Sequence, residues 1–453
     1  MKKYDVIVIG SGCGALVTEE AVSHGLRTAF VDKGPVGGTC LNLGCIPSKM
    51  LIYTADQVVD IQESKKLGIT SKIVAVDFNA IMNRMRKSIK AGRDHMTAGL
   101  KQTKGLDFYN GVARFTGDYT LEVNGERIRG EKIVIASGSR PFIPPIKGLE
   151  SINYLTNETA LQLKERPDSM IIVGGGYIAV EYGHFFAAMG TRVTILELAD
   201  RLVLAEEPEI SNLLKEQLSE RMTIHIGSEV IGAKSSKNGV AILIKDRNSG
   251  KERRVTAQSV MIAVGRVSNA DILEVTKTGV ELDKKGFVKV DERLQTNKEN
   301  IFAVGDANGQ QMFTHVANKE AWLVAENMLH DAGLKMDYTV IPHAVYSHPQ
   351  IASVGLQEAS ARKTHDILVG RTNYFDIAKG EAMMEQKGYA KAIVEKDRNK
   401  ILGFHIIGPY APELIQEVVN AMTSGGHIDE IDEGIHIHPA LSELIPTALN
   451  SVE

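Results

Sequence analysis

Twice in this chain a short apolar run stops at clustered glycines, a helix opens, and a second apolar run ends on a carboxylate. In the first copy Tyr4–Ile9 reads as a strand, Gly10-Ser-Gly12-Cys-Gly14-Ala15 as the turn, the stretch to about Ser23 as a helix, and Arg27–Val31 as a strand ending at Asp32. In the second, Ser169–Val173 is the strand, Gly174-Gly-Gly176-Tyr177-Ile178-Ala179 the turn, Val180–Met189 the helix, and Arg192–Leu196 a strand ending at Glu197. Such glycines let the backbone approach a pyrophosphate, the helix N-terminus offers it partial positive charge, and an acid about 20 residues on meets a ribose hydroxyl. A chain that carries this unit twice is bound to a parallel α/β architecture with two dinucleotide sites. Two nucleotides in one chain imply a reaction that couples them.

Only the first copy is followed by cysteines. Cys40 and Cys45 lie in Gly37-Gly-Thr-Cys-Leu-Asn-Leu-Gly-Cys-Ile-Pro-Ser-Lys49. Five positions apart on a regular helix is too far at Cα for a disulfide, which wants roughly 4.4–6.8 Å, so the backbone between them is expected to be wound irregularly. Gly44 permits that, and Pro47 fits the first turn of a following helix. A redox-active disulfide beside a flavin is the reading, with FAD at the first glycine turn and a nicotinamide at the second. All three cysteines precede residue 46, a pattern that excludes a disulfide-stapled scaffold and a zinc ribbon. No metal is expected, and Cys13, inside the glycine turn, reads as a packing residue.

Composition removes other classes. The 453 residues are 43% hydrophobic and 24% charged with a formal net charge of −4, which describes a globular protein of two to four domains without the basic field that nucleic acid requires. No apolar run approaches the roughly 18 residues of a membrane span, and the run after Met1-Lys-Lys is too short for a signal h-region. A cytoplasmic protein with no nucleic-acid or membrane partner is expected. Beyond Ser228 come short strands, including Val240–Ile244 and Arg254–Val264, then Ile301-Phe-Ala-Val-Gly305-Asp306, and a tail with a strand at Lys391–Glu395 and a helix over 412–424. Glu197 suits the two ribose hydroxyls of NADH and repels a 2′-phosphate; Arg201 is the nearby cation.

Gly10-x-Gly12-x-x-Ala15, the stretch Gly37–Lys49, Ala136-Ser-Gly-Ser139, Gly174-x-Gly176-x-x-Ala179, Ala303-Val-Gly-Asp306 and His438-Pro-x-x-x-Glu443 together resemble the flavin disulfide reductases of the dihydrolipoamide dehydrogenase, glutathione reductase and mycothione reductase type. The resemblance spans the whole chain. It implies an α/β fold with two Rossmann-like dinucleotide-binding domains and a C-terminal α+β dimerisation domain: 1–147 for FAD, 148–267 for NAD, 268–340 central, 341–453 at the interface. It makes Cys40 the interchange thiol, Cys45 the thiol on the flavin, and Lys49, paired with Glu181, the lysine near flavin N5. Around FAD it sets Gly10, Gly12, Gly14, Ala15, Asp32, Lys33, Thr39, Ala113, Ser137, Gly138, Asp306 and the stretch Met312, Phe313, Thr314, His315. Around the nicotinamide it sets Gly174, Gly176, Tyr177, Ile178, Glu197, Val230 and Gly265. Asp32 departs from the more usual Glu. The implied assembly is a homodimer in which His438 and Glu443 serve the other subunit's site.

Thiol–disulfide exchange runs through a thiolate and leaves a proton to be handled, which His438 with Glu443 is suited to do. His436, two residues earlier, would share its face on an extended strand, and only the Pro439 and Glu443 offsets favour His438. His348-Pro349 lacks an acid at that offset and reads as a strand-end turn. The NADH-compatible Glu197 places a dihydrolipoamide dehydrogenase first, acting on a small dithiol or a lipoyl domain. A reductase of a low-molecular-weight disulfide, as in mycothione reductases, is the alternative, on Gly265–Asp271, Thr314–Asn318 and Ile437–Glu443. A flavin NADH oxidase or redox sensor with structural cysteines is the other class.

Overall fold

The computed structural model describes residues 1–237 and 239–453, and the chain divides into two compact units. Unit 1 joins residues 1–48, 82–142 and 265–337; unit 2 joins 49–81, 143–264 and 338–453.

Unit 1 is built on a seven-stranded sheet. Its order is Leu106–Asn110, Thr28–Asp32, Lys2–Ile9, Glu126–Ile135, Thr120–Val123, Ala113–Gly117, with Ile301–Ala303 also on the long strand Glu126–Ile135. The run Val6-Ile-Val-Ile9 is buried on both faces, as a central parallel strand requires, and pairs in register with Thr28–Val31 on one side and Lys132–Ile135 on the other. The strand 126–135 serves two masters: its first half closes a hairpin with Thr120–Val123 and its second half accepts Ile301–Ala303 in parallel. That pairing brings Asp306, 274 residues after Asp32, into the same unit.

Unit 2 repeats the parallel theme in four strands, Thr223–His225, Arg192–Leu196, Ser169–Val173 and Ser259–Ile262. A three-stranded antiparallel sheet, Ser228–Ser236, Gly239–Asp246 and Glu252–Ala257, accompanies it. The expected strand Arg254–Val264 is therefore two strands in two sheets. Gln258 is the switch: its backbone N–H donates to Ser169 Oγ at 3.0 Å and its side-chain oxygen accepts from Asp168 N–H at 2.6 Å, pinning the chain where it changes direction. The last quarter forms a five-stranded antiparallel sheet in the order His343–Val345, Ile351–Gly355, Lys400–Ile407, Tyr389–Glu395, Ile367–Asn373, with the helices Ala411–Ser424 and Leu444–Asn450 packed on it. Among the described residues no helix is long and apolar enough to cross a membrane.

Candidate active site

Both glycine turns use one device. Gly10 has φ +109°, and a Cβ on it would stand 2.1 Å from the carbonyl oxygen of Ala136, just past the neighbouring parallel strand; Gly174 has φ +113° and would meet Ala263 O at 2.2 Å. Each turn thus lies flat against the end of the next strand, and only glycine fits. Gly14 takes the close helix–strand contact, since a Cβ there would sit 2.8 Å from Val8 Cγ1. The helices Gly14–Ser23 and Tyr177–Ala188 begin without a capping side-chain hydrogen bond among the described residues, and a helix N-terminus carries partial positive charge.

A cavity of about 60 Å³ opens beside the first turn, lined by Gly10, Asp32, Lys33, Ala113, Ser137 and Asn269 among others. Ser137 Oγ is buried there with no hydrogen-bond partner among the described residues. An orphaned hydroxyl beside a glycine turn and an open helix N-terminus fits a dinucleotide such as FAD. Asp32 is anchored already: Oδ2 accepts from Ser11 N–H at 2.7 Å and from Ser11 Oγ at 2.5 Å, and Oδ1 from Gly34 N–H at 2.7 Å. Asp306 accepts from Ser139 Oγ, and Arg266 Nε reaches Ser139 Oγ at 2.6 Å while standing 3.6 Å from Asp306. Gly138, beside Ser139, has φ +66°.

The cysteine segment is wedged against this turn. Gly37 N–H donates to Ser11 Oγ at 3.0 Å, and Gly38 comes so close to Gly12 that a Cβ on it would be 2.6 Å from Gly12 Cα. Cys40 and Thr39 lie on the short helix Gly38–Asn42, and Cys45 opens the helix Cys45–Glu63. Between them Leu43 takes φ −140° and the helix breaks, the irregular winding that the spacing demands. Asn42 fixes the short helix through its amide on Pro35 O, Val36 O and Gly38 O. Cys45 Sγ stands 3.3 Å from Thr314 Oγ1, so the Met312–His315 stretch meets the second cysteine across 269 positions of sequence; Phe313 and His315 stack beside it with ring centroids 5.5 Å apart. Cys13 differs in kind. Burial, with the charges of Glu320 and Asp306, pushes its thiol up to about 12, and it packs against the core.

In unit 2, Lys49 Nζ pairs with Glu181 at 2.8 and 3.0 Å, as expected. Tyr177 begins its helix half-exposed with Ile178 behind it, and a Cβ added to Gly176 would meet no described atom within 4 Å. Glu197 Oε1 accepts from Ala199 N–H at 2.6 Å. Two arginines reach the backbone of that turn: Arg201 donates to Leu204 O at 3.2 Å and Arg247 to Leu198 O at 3.4 Å. Arg247 is 50 residues from Glu197 and no local pattern announced it. Val230 lies in the strand Ser228–Ser236, opposite Ile244, whereas Gly265 opens the last segment of unit 1.

The two candidate histidines are separated by their partners. His438 Nδ1 lies 2.8 Å from Glu443 Oε1 with its side chain 70% exposed, while His436 Nε2 is held by Glu417 at 2.7 Å and is 16% exposed. Glu443 Oε2 accepts from Ala440 N–H, and that bond, with the one from His438, holds its carboxyl below the usual carboxylate range. An ionised Glu443 fixes the Nδ1–H tautomer and leaves Nε2 as the basic atom. Sequence reasoning missed Ser11, Asn269, Arg266 and Glu320, which orient the turns rather than end them. Glu320, fully buried, accepts from Gly305 N–H at 2.6 Å and Asn308 Nδ2 at 2.9 Å, directly under the Gly305-Asp306 turn; its only signal was an acid on an apolar helix face.

Two glycine turns at the ends of parallel strands, one with a cysteine pair wedged on it, define a dinucleotide-dependent disulfide oxidoreductase. The chain belongs to the pyridine nucleotide-disulphide oxidoreductase family, whose model matches residues 4–321, with its dimerisation domain over residues 341–449. It is 35% identical to the mycothione reductase of Mycobacterium tuberculosis, over 99% of both chains, and 33% identical to the dihydrolipoyl dehydrogenase of Bacillus subtilis, over 98% of this chain and 97% of the other. The HOCl-induced flavoprotein disulfide reductase RclA from Escherichia coli superposes with a TM-score of 0.88 at 28% identity, covering 99% of this chain and all of that one. The family is FAD- and NAD(P)-dependent.

Proposed function

We propose that this enzyme passes two electrons between NAD(H) and a dithiol/disulfide couple through Cys40 and Cys45, with dihydrolipoamide as the first-ranked substrate. The observation that carries the reading is the packing of the cysteine segment on the first glycine turn, Gly38 against Gly12 and Gly37 on Ser11. On this reading unit 1 holds most of the FAD-binding segment and the central segment, and unit 2 the nicotinamide-binding and dimerisation segments together with residues 49–81. FAD bound at the first turn supplies the exchange of hydride for sulfur-borne electrons.

The residues divide the remaining work. A substrate thiol gives its proton to His438 Nε2, and the thiolate attacks Cys40 Sγ; the Cys40–Cys45 bond breaks as the mixed disulfide forms, and Cys45 leaves as thiolate. The second substrate thiol then attacks the substrate sulfur of the mixed disulfide and displaces Cys40, its proton passing to the departing Cys40 sulfur, while His438 keeps the first proton as counter-charge to the Cys45 thiolate. Glu443 steadies the imidazolium in between. His438 is assigned to the partner subunit's site. Supporting that assignment are the dimerisation domain and the exposure of Ile435 and Ile437 on either side of His436, just before His438.

Reduction of a low-molecular-weight disulfide is the second reading. It is favoured by the mycothione reductase relative and by Arg201 and Arg247, which donate to Leu204 O and Leu198 O just after Glu197 and supply the kind of positive charge that a 2′-phosphate needs. Side-by-side rates on dihydrolipoamide, lipoamide and small-thiol disulfides, each with NADH and NADPH, decide between them. Faster turnover of a small-thiol disulfide with NADPH would displace the first reading. Anaerobic addition of one equivalent of NADH tests the class itself: a red-shifted absorbance is expected if Cys45 touches the ring, whereas immediate full bleaching without that band would favour an oxidase.

A further inference from the structure

Tyr346 follows the strand His343–Val345 directly and meets the Lys49–Glu181 pair with two different groups. Its backbone N–H donates to Glu181 Oε1 at 3.0 Å, and Lys49 Nζ stands 4.5 Å from the centroid of its ring. Glu181 Oε1 is therefore shared between the ammonium, also at 3.0 Å, and the amide directly after a strand. The segment that carries Tyr346 is itself tied down: Arg221 donates to His348 O, and Ser347 Oγ to Pro349 O at 2.7 Å.

The consequence follows from flexibility. A lysine side chain has four rotatable bonds and a compact, mobile charge. The Glu181 side chain is 4% exposed and cannot follow it, whereas that of Lys49 is 34% exposed. One side of the ammonium faces the carboxylate and another faces the aromatic ring, within the roughly 6 Å over which a cation is held by a π face. Two contacts of different kind restrict the charge more than a carboxylate alone.

We propose that Tyr346 is a positioning residue that fixes the Lys49 ammonium, acting through its ring face and not its hydroxyl. The proposal rests on the reading above, in which Lys49 stands beside the flavin ring. A fixed cation there stabilises the electron-rich reduced ring, so a loosened one lowers the flavin's midpoint potential and slows its reduction by NADH.

The test compares Tyr346→Phe, Tyr346→Leu and Glu181→Gln in the FAD-loaded dimer, with Tyr346→Met as a second aliphatic variant should the leucine form not fold. The readouts are the flavin midpoint potential by dye equilibration, stopped-flow flavin reduction by NADH, and the thiol–disulfide exchange step measured separately. Phenylalanine is expected to match the wild type. Leucine is expected to lower the potential and slow flavin reduction by about three- to tenfold, the range of one cation–π contact, with exchange unchanged. Wild-type potential and flavin reduction in the leucine form, while Glu181→Gln changes both, would overturn the role of Tyr346 alone. If Glu181→Gln also changes neither, the placement of Lys49 at the flavin falls, and the proposal with it.

Discussion

Cys45 and His438 are the residues on which the proposed chemistry turns, and His436 is the control for the histidine. Cys45→Ser is expected to keep FAD, because the cofactor-side contacts lie in the glycine turn, and to abolish dithiol turnover; retained lipoamide turnover would remove Cys45 from the electron path. His438→Gln should slow exchange by on the order of 10²- to 10⁴-fold, the span of a lost general base, with flavin reduction by NADH little changed. His436→Gln should change neither, since its ring is committed to Glu417. Stopped-flow traces showing equal slowing of both half-reactions in His438→Gln would count against the proton-transfer role. Glu197 is the third such residue. With two arginines bonded to the backbone just after it, Glu197→Ala should raise kcat/KM for NADPH relative to NADH by about tenfold or more, the effect of removing one unfavourable charge contact; an unchanged ratio would show that the acid does not discriminate.

At the scale of elements, packing between helices and strands creates groups that titrate. His184 on the helix Tyr177–Ala188 is fully buried, with Asp56 of the helix Cys45–Glu63 2.8 Å from Nε2 and Arg221 3.1 Å from Nδ1. A guanidinium only donates, so Nδ1 is unprotonated and Nε2–H donates to Asp56. Burial lowers the His184 pKa to about 4, the neighbouring Asp56 opposing. The unfolded histidine takes up its proton near pH 6.5 while the folded one does not until about pH 4, so this contribution to stability is complete above pH 6.5 and declines as the pH falls between those values, by about 3 kcal/mol in all. Denaturant midpoints of wild type and His184→Gln measured from pH 7.5 to 4.5 should therefore differ in slope, the variant losing less on acidification; parallel curves would refute it. Lys391 is a second case. Its side chain is 5% exposed and its ammonium is ringed by Glu207, Glu209 and Glu358, whose hydrogen bonds outweigh burial and hold its pKa above the ordinary lysine value. Lys391→Met leaves those carboxylates facing each other and should cost about 3–5 kcal/mol in denaturant unfolding.

For the whole molecule the decisive measurement is assembly. An active enzyme that sediments as a monomer at assay concentration would contradict the assignment of His438 to a partner's site. Much of the architecture was legible in the chain: the two strand–glycine–helix–strand units fell within a few residues of their observed bounds because each is coded locally, by β-branched runs that suit central strands and by glycines that alone tolerate the turn. The cysteine pair announced an interrupted helix because disulfide geometry and helical rise are both fixed quantities. Other features were not legible, for one physical reason: they depend on contacts between distant segments, which no window of sequence contains. The sheet switch at Gln258 hides because no glycine or proline stands between the strands Glu252–Ala257 and Ser259–Ile262. Thr314 reaches Cys45, Arg247 reaches the turn of Glu197, and Tyr346 reaches Lys49 only after strands pair across tens to hundreds of residues. His436 and His438 are equivalent by strand periodicity; the Pro439 and Glu443 offsets favoured His438, but that Glu417 on a packed helix holds His436 was not to be read from the sequence. The sequence by itself determined which turns exist and which chemistry they admit; the tertiary structure alone decided which side chains hold them in place, since a hydrogen bond acts over about 3 Å and chain proximity at that range is a product of folding.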